Sequence, residues 1–536
     1  MMAEMVGAIL LDTRSIQKYV FGSNKLKTNT GASYIVDGIF TEGMVDVLKK
    51  SGLKMPAISW EEAENLQMEQ DAAIEAEIAY IGGGNMLVLV RKGDKSLAFC
   101  RELVQQWSLK VLLNAPGLKT GAAIGEISLD KAEFTASLNK LYKQLKDNQN
   151  NILPQVDLPY TGFTVECDYS GKAVNVFNKD YGRLVSAEVE AKARAYPYAA
   201  EKNKQDYRAS LGDKFSFCSE LESIGYKDGE SYISVIHIDG NNMGVKFSNC
   251  RNMHERKTLS LKVKQTVQHA FEYLVNKIIT EYDSYADVLD MRQLKEGNKK
   301  LLPLRPIIIG GDDITFICPG RMGLQYAQSF IEYVNSEDLL DDNLHKYIQN
   351  KTGKTISKSM SCCAGVAIVP AKYPFFRAYE LAEQLCDEAK NLSRKDDGSY
   401  LDFAILHGEK YGDIKLLRNE QYVTNVGNLH YGPYNVLGSK KDKHSLKALF
   451  ALMQMLADDK MPRNKVKDLR SVLQESKHNM SIFMENCPEM QQLVKHEAAC
   501  DNIGADALWE ENGATRYIDA IEIMDFVYPQ KGMEAK

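Results

Sequence analysis

Two stretches of the chain, AYIGGGNMLVLV at 79–90 and RPIIIGGDDITFIC at 305–318, set glycines between two apolar, largely β-branched runs. That pattern predicts a β-hairpin, and its recurrence constrains the fold more than any other feature. The same order of elements surrounds both copies. GAILLD (7–12) reads as a strand, a helix runs through 31–50, the hairpin follows, and a helix over 96–114 leads to a strand at 120–128. In the second half SYISVIHID (231–239) is a strand, 256–282 an amphipathic helix, and 321–348 helical after the hairpin. SMSCCAGVAIVP (359–370) is then a strand and AYELAEQLCDEAKNLS (378–393) a further helix. Strand, helix, hairpin, helix, strand is the ferredoxin-like βαββαβ order. Asp12 and Gly82 stand 70 positions apart, Asp239 and Gly310 71, and both first strands end on aspartate. The chain reads as an α+β protein with an internal duplication.

A length of 536 residues exceeds one core and divides on pattern into four regions. These are a first βαββαβ domain over 1–130, a helical linker over 131–225, a second βαββαβ domain over 226–410 and a helical C-terminal domain over 411–536. No run approaches 18 apolar residues, and the N-terminal MMAEMVGAILLDTRS is acidic where a signal peptide is basic, so a cytoplasmic protein is expected. The ten cysteines form no CxxC pair, which suits reduced thiols, and Cys362-Cys363 reads as strand core. A net charge of −6 argues against coating nucleic acid through bulk electrostatics.

Topology gives the second hairpin its chemistry. In a βαββαβ domain the first strand lies antiparallel beside the third, so Asp239 meets the turn that carries Asp312 and Asp313. Clustered carboxylates raise one another's pKa. A hard divalent cation, Mg²⁺ or Mn²⁺, resolves the conflict. Two such ions on one sheet would activate a ribose 3′-hydroxyl and neutralise a triphosphate during in-line displacement. Gly240, Asn241 and Asn242 follow the strand and precede a helix, where free N–H groups hold phosphates. Lys390 on the last helix supplies a further positive charge. The rival readings are plain: GGDD is also an ordinary turn, the asparagines are turn residues, and Lys390 is a solvated lysine. The hairpin that accompanies Asp12 reads Gly82-Gly83-Gly84-Asn85 and lacks partner carboxylates, so the first domain is expected to be non-catalytic.

VIHIDGNNMG, RPIIIGGDDITFICPG and SCCAGVAIVPAKYPFFRAYELAEQLCDEAK together resemble the active palm of the large subunit of type III CRISPR effector complexes. LLDTRSIQKYVFGSNKLKTNTGASYIV and YIGGGN are similar to that family's first, inactive palm, and EVEAKARAY and the helical C-terminus also fit. The resemblance implies two palms paired within one chain and conversion of ATP into cyclic oligoadenylate second messengers with two Mg²⁺ or Mn²⁺ ions. It implies Asp239, Asp312 and Asp313 as metal-binding catalytic residues. Gly240, Asn241, Asn242, Gly310, Gly311 and Lys390 would lie around the nucleotide. Guide or target RNA and other effector subunits are the implied partners, and no membrane is. A catalytically silent scaffold that senses nucleotides or holds RNA and proteins is the alternative. The sequence departs from the family in having no His-Asp dipeptide, so no nuclease centre is expected, and in offering only Cys167 in ECDYSGKA, so a zinc site between the palms is expected to be degenerate.

Overall fold

The computed structural model describes residues 5–23, 25–63, 65–150, 164–218, 224, 231–285, 289, 295–408, 413–459, 461–498 and 505–527. Parts of the linker expected over 131–225 lie outside them. The first half contains β1 (Met5–Arg14), α1 (Leu26–Gly38), β2 (Ala76–Gly82), β3 (Asn85–Val90), α2 (Ser96–Asn114), β4 (Lys119–Ser128) and α3 (Lys131–Asn150). The second contains β5 (Tyr232–Gly240), α4 (Met253–Thr280), β6 (Arg305–Gly310), β7 (Asp313–Pro319), α5 (Gly323–Ser336), β8 (Cys362–Pro370), α6 (Phe375–Ser393) and β9 (Tyr400–Ile405). The first sheet runs β2-β3-β1-β4 and the second β6-β7-β5-β8-β9, closed by the short strand Tyr434–Asn435.

The duplication is a matter of register. Asp12 faces Asn85, and Gly82 closes the first hairpin on Asn85. Asp239 faces Asp313, and Gly310 closes the second on Asp313. Alternation sorts the side chains of β1 onto two cores. Ala8 and Leu10 pack beneath Phe134, Leu138 and Leu141 of α3, whereas Ile9 and Leu11 join Ile35 and Trp107 in the main core. Helix α3 therefore covers the face of the first sheet that carries Ala8 and Leu10.

The second half differs from a bare βαββαβ unit. β9 adds a parallel strand beside β8, where the sequence reading had only a helix after the last strand. The expected helix over 321–348 is two helices, α5 and Asp342–Thr352, with Asp341 capping the second through Asn343 and Leu344. At the start of α4, Asn252 accepts from the N–H of Glu255 at 2.9 Å while Glu255 accepts from that of Arg251 at 2.7 Å. This reciprocal cap fixes where the helix leaves the loop after β5. The C-terminal region is mainly helical, with Leu446–Ala457 packed on Tyr517–Ile523.

Candidate active site

Strand pairing sets Asp313 of β7, Asp239 of β5 and Cys363 of β8 side by side in one row. Residues directly opposite on antiparallel strands project from the same face, with Cβ atoms about 4.5–5.5 Å apart. The N–H of Gly240 donates to the carbonyl of Asp312 at 2.9 Å, pinning the end of β5 to the hairpin. Gly311, at φ 61°, takes the turn itself.

Each carboxylate has a different environment. Asp239 forms an ion pair with Lys390 of α6. Asp313 Oδ2 lies 3.5 Å from Nε2 of Gln17, which comes from the first half of the chain. Asp313 Oδ1 lies 3.4 Å from His237 Nδ1 but is buried without a hydrogen-bond donor. Burial, and then the charge of Asp239, push Asp312 up to about 6 and Asp313 up to about 7. Burial holds His237 below its ordinary value, so its imidazole is neutral. Tyr379 and Glu383 of α6 stand behind this row, the carboxyl of Glu383 raised by burial.

An orphaned carboxylate oxygen and two carboxyls that resist ionisation are what a hard divalent cation relieves, and the all-oxygen donors suit Mg²⁺ or Mn²⁺. Asp312 and Asp313 fit such an ion. The three-carboxylate cage for two ions is not assembled, because Lys390 engages Asp239. Among the described residues no three His, Cys, Asp or Glu side chains converge on a metal position.

Asn241 and Asn242 lie elsewhere than expected. Asn241 is buried and donates through Nδ2 to the carbonyl of Gly398 at 3.1 Å, and its own N–H bonds Ser361. Asn242 donates to Asp397 Oδ1 at 2.7 Å. Their amides tie the loop after β5 to the loop before β9 rather than facing a triphosphate.

The first half presents the same row with Asp12 kept and Asn85 where the second half has Asp313. Asp12 accepts from Gln149 Nε2 at 2.7 Å, and Gln149 sits on α3 where Lys390 sits on α6. The turns differ too. Gly83 and Gly84 both have positive φ, the pattern of a type I′ turn, whereas only Gly311 does in the second hairpin, the pattern of type II′. The two tips meet: a Cβ on Gly311 would stand 3.3 Å from Gly83 Cα and N. Beside this contact a cavity of about 860 Å³ runs between the halves, lined by both hairpins and by Tyr80, Tyr142 and Arg256.

His237 and Gln17 were not anticipated. Alternation along β5 places His237 on the face of Asp239, two residues away, and was a usable signal. Gln17 reaches Asp313 only through the pairing of the halves, which no local pattern encodes.

Residues 232–398 match the Cas10/Cmr2 family, second palm domain. Solved structures share the fold along the chain. Csm1 in T. onnurineus has a TM-score of 0.51 at 13% identity, covering 98% of this chain and 70% of its own. The Csm1–Csm4 cassette in complex with AMPPNP scores 0.51 at 14% identity, again covering 98% and 70%. The same cassette in complex with pppApA scores 0.50 at 12% identity, with the same coverage. No curated protein matches.

Proposed function

We propose that this chain, which belongs with the Cas10-like large subunits through its Cas10/Cmr2 second palm, is a metal-dependent nucleotidyltransferase that joins ATP into cyclic oligoadenylate-type messengers for antiviral signalling in the cytoplasm. The observation that carries the reading is the row of Asp313 beside Asp239, with Asp312 next to it, where Asp312 and Asp313 line a cavity large enough for nucleotides. AMPPNP and pppApA in the cassettes of similar fold support a nucleotide as ligand, and their Csm4 supports effector subunits as partners. No helix among the described residues is long and apolar enough to cross a membrane.

Asp312 and Asp313 would hold the cation, and Asp239 would join them once Lys390 releases it. Bound there, a divalent ion lowers the pKa of a 3′-hydroxyl and offsets phosphate charge. The chain supplies the rest. With pKa values raised to about 6 and about 7, Asp312 and Asp313 ionise only as the pH approaches neutrality, so the empty site carries less negative charge than ordinary carboxylates would. The Gln17 amide, 3.5 Å from Oδ2, is the side chain that donates to Asp313 from across the joint. Lys390, freed from Asp239, is placed to meet a phosphate oxygen. Gly310 and Gly311 keep the turn free of side chains where the nucleotide approaches.

The test is incubation of the chain, alone and with whatever assembly co-purifies with it, with labelled ATP and Mg²⁺ or Mn²⁺. Mass spectrometry of the product compares it with the Asp312→Ala/Asp313→Ala variant. Adenylate oligomers from the wild type and a loss of about 10³-fold or more in the variant are expected. Equal product from both sinks the idea. The Lys390–Asp239 pair favours a second reading, a silent scaffold that binds nucleotides without turnover; ATP binding without product in every assembly would establish it.

A further inference from the structure

The duplication carries an asymmetry besides the missing carboxylates. Three positions past the aspartate of its first strand, each half turns through a non-glycine residue at left-handed φ, Ser15 at 53° and Asn242 at 51°. A helix of six residues follows each elbow, Ile16–Phe21 and Met243–Ser248. The second residue of the first helix is Gln17, whose Nε2 lies 3.5 Å from Asp313 Oδ2 in the other half. Its equivalent in the second helix is Gly244, where a Cβ would meet nothing within 4 Å. Asp313 in turn corresponds to Asn85 of the first hairpin. The amide donor and the carboxylate it serves are thus present together, and the opposite pairing has neither.

Gln17 is held from both sides. Before it, the N–H and Oγ1 of Thr13 both donate to the carbonyl of Gly84, at 2.9 and 2.8 Å, and pin the end of β1 to the first hairpin. Left-handed backbone is unfavourable for a residue with a Cβ, and it persists at Ser15 where such contacts over-determine it. After it, Phe21 stacks on Tyr379 of α6 with ring centroids 3.6 Å apart and packs against Phe375 at 5.8 Å. Tyr379 meets the His237 ring edge-on at 5.5 Å. His237 and Asp239 share a face of β5 by alternation, so this clamp lies on the face of the carboxylate row.

The chemistry of the donor matters. Lys390 neutralises Asp239, whereas a neutral amide orients a carboxylate and leaves its charge for a cation. With Oδ2 held, Oδ1, buried without a donor, is the oxygen left to bind. We infer that Gln17 is a positioning residue for the metal site of the second palm, supplied across the joint by the first half of the chain. The inference rests on the proposed function for the cation alone. Outer-shell partners that orient metal ligands change metal affinity by about 10–100-fold. The placement of one half against the other is therefore read at Asp313.

Two measurements on the full chain test this. The first is Mn²⁺ titration without nucleotide, followed by electron paramagnetic resonance, with the site defined by its loss in Asp312→Asn/Asp313→Asn. Gln17→Met keeps the side-chain length and removes the donor; it is expected to weaken Mn²⁺ by about tenfold or more and to alter the spectrum of the bound ion. Lys18→Met, at the exposed neighbouring position, is expected to change neither. The second is a double-mutant cycle of Gln17→Met with Asp313→Leu, by urea unfolding in EDTA. The midpoint shift caused by Gln17→Met is expected in the wild type and not in Asp313→Leu. Wild-type Mn²⁺ affinity in Gln17→Met, or the same midpoint shift in both backgrounds, overturns the inference. A wild-type chain that binds no Mn²⁺ sinks the cation reading, and the metal-free cycle then decides by itself whether Gln17 positions Asp313. Should Gln17→Met fail to fold by circular dichroism, Gln17→Asn, which draws the amide back by one methylene, takes its place in both measurements.

Discussion

Gly310 and Gly311 are neighbours with opposite demands. A Cβ on Gly310 would meet nothing within 4 Å, whereas Gly311 has φ 61° and lies against the backbone of Gly83. Gly310→Ala is expected to leave thermal stability nearly unchanged, and Gly311→Ala to cost about 1–2 kcal/mol by denaturant unfolding. The adjoining aspartates make stability depend on pH. Their pKa values rise from 3.8 in the unfolded chain to about 6 and about 7 in the fold. Their contribution is therefore full below about 4 and is lost as pH rises through about 6 to 7. Without divalent metal, the difference in melting temperature between wild type and Asp312→Asn/Asp313→Asn should grow against the wild type as pH rises from about 5 to about 8. Mg²⁺ should restore the wild type at the upper end and leave the variant unmoved.

Between β9 and the C-terminal helices, one histidine joins two elements. His430 faces Asp402 of β9 through Nε2 at 3.0 Å and Asp519 of the helix Tyr517–Ile523 through Nδ1 at 2.8 Å. Arg418 reaches the same Asp402 at 2.6 Å, and Tyr434 donates to Asp519. Burial and Arg418 oppose a charge on His430, but Asp519 and Asp402 prevail and raise it to about 9. Both ring nitrogens then donate. A raised histidine contributes fully below its unfolded value of 6.5 and loses that contribution as pH passes through about 9. His430→Gln is expected to cost about 3–5 kcal/mol near neutral pH, with the penalty shrinking above about pH 9, measured by urea unfolding across pH. This joint couples the C-terminal region to the edge of the second sheet.

At the scale of the molecule, the paired halves are alike in register and unlike in chemistry. Grafting Gly84→Asp/Asn85→Asp onto the first hairpin is not expected to create a second metal centre. Gly84 has φ 74°, and a Cβ there would stand 2.4 Å from Ile16 Cδ1. Manganese titration should show unchanged stoichiometry, with a lowered melting temperature. The order of strands and the meeting of Asp239 with the second turn were legible because both follow from local periodicity plus one topology rule. The roles of Asn241 and Asn242 were not, since their partners at 397 and 398 lie more than 150 positions away. Lys390 was legible as a cation near the site, but its pairing with Asp239 needed the packing of α6. Gln17 acts across the pseudo-symmetric joint, and nothing near it announces it.

The bare contact between Gly83 and Gly311 has a consequence for how such a chain can drift. With no side chain between the tips, the gap separating the halves is counted in backbone units alone. Substitutions in either core can shift volume without resetting that gap. A single inserted residue in either turn, by contrast, changes it by a step of up to about 3.3 Å. Loop length is thus the gauge of this joint, and the two hairpins are held to the same number of residues even where their chemistry has parted.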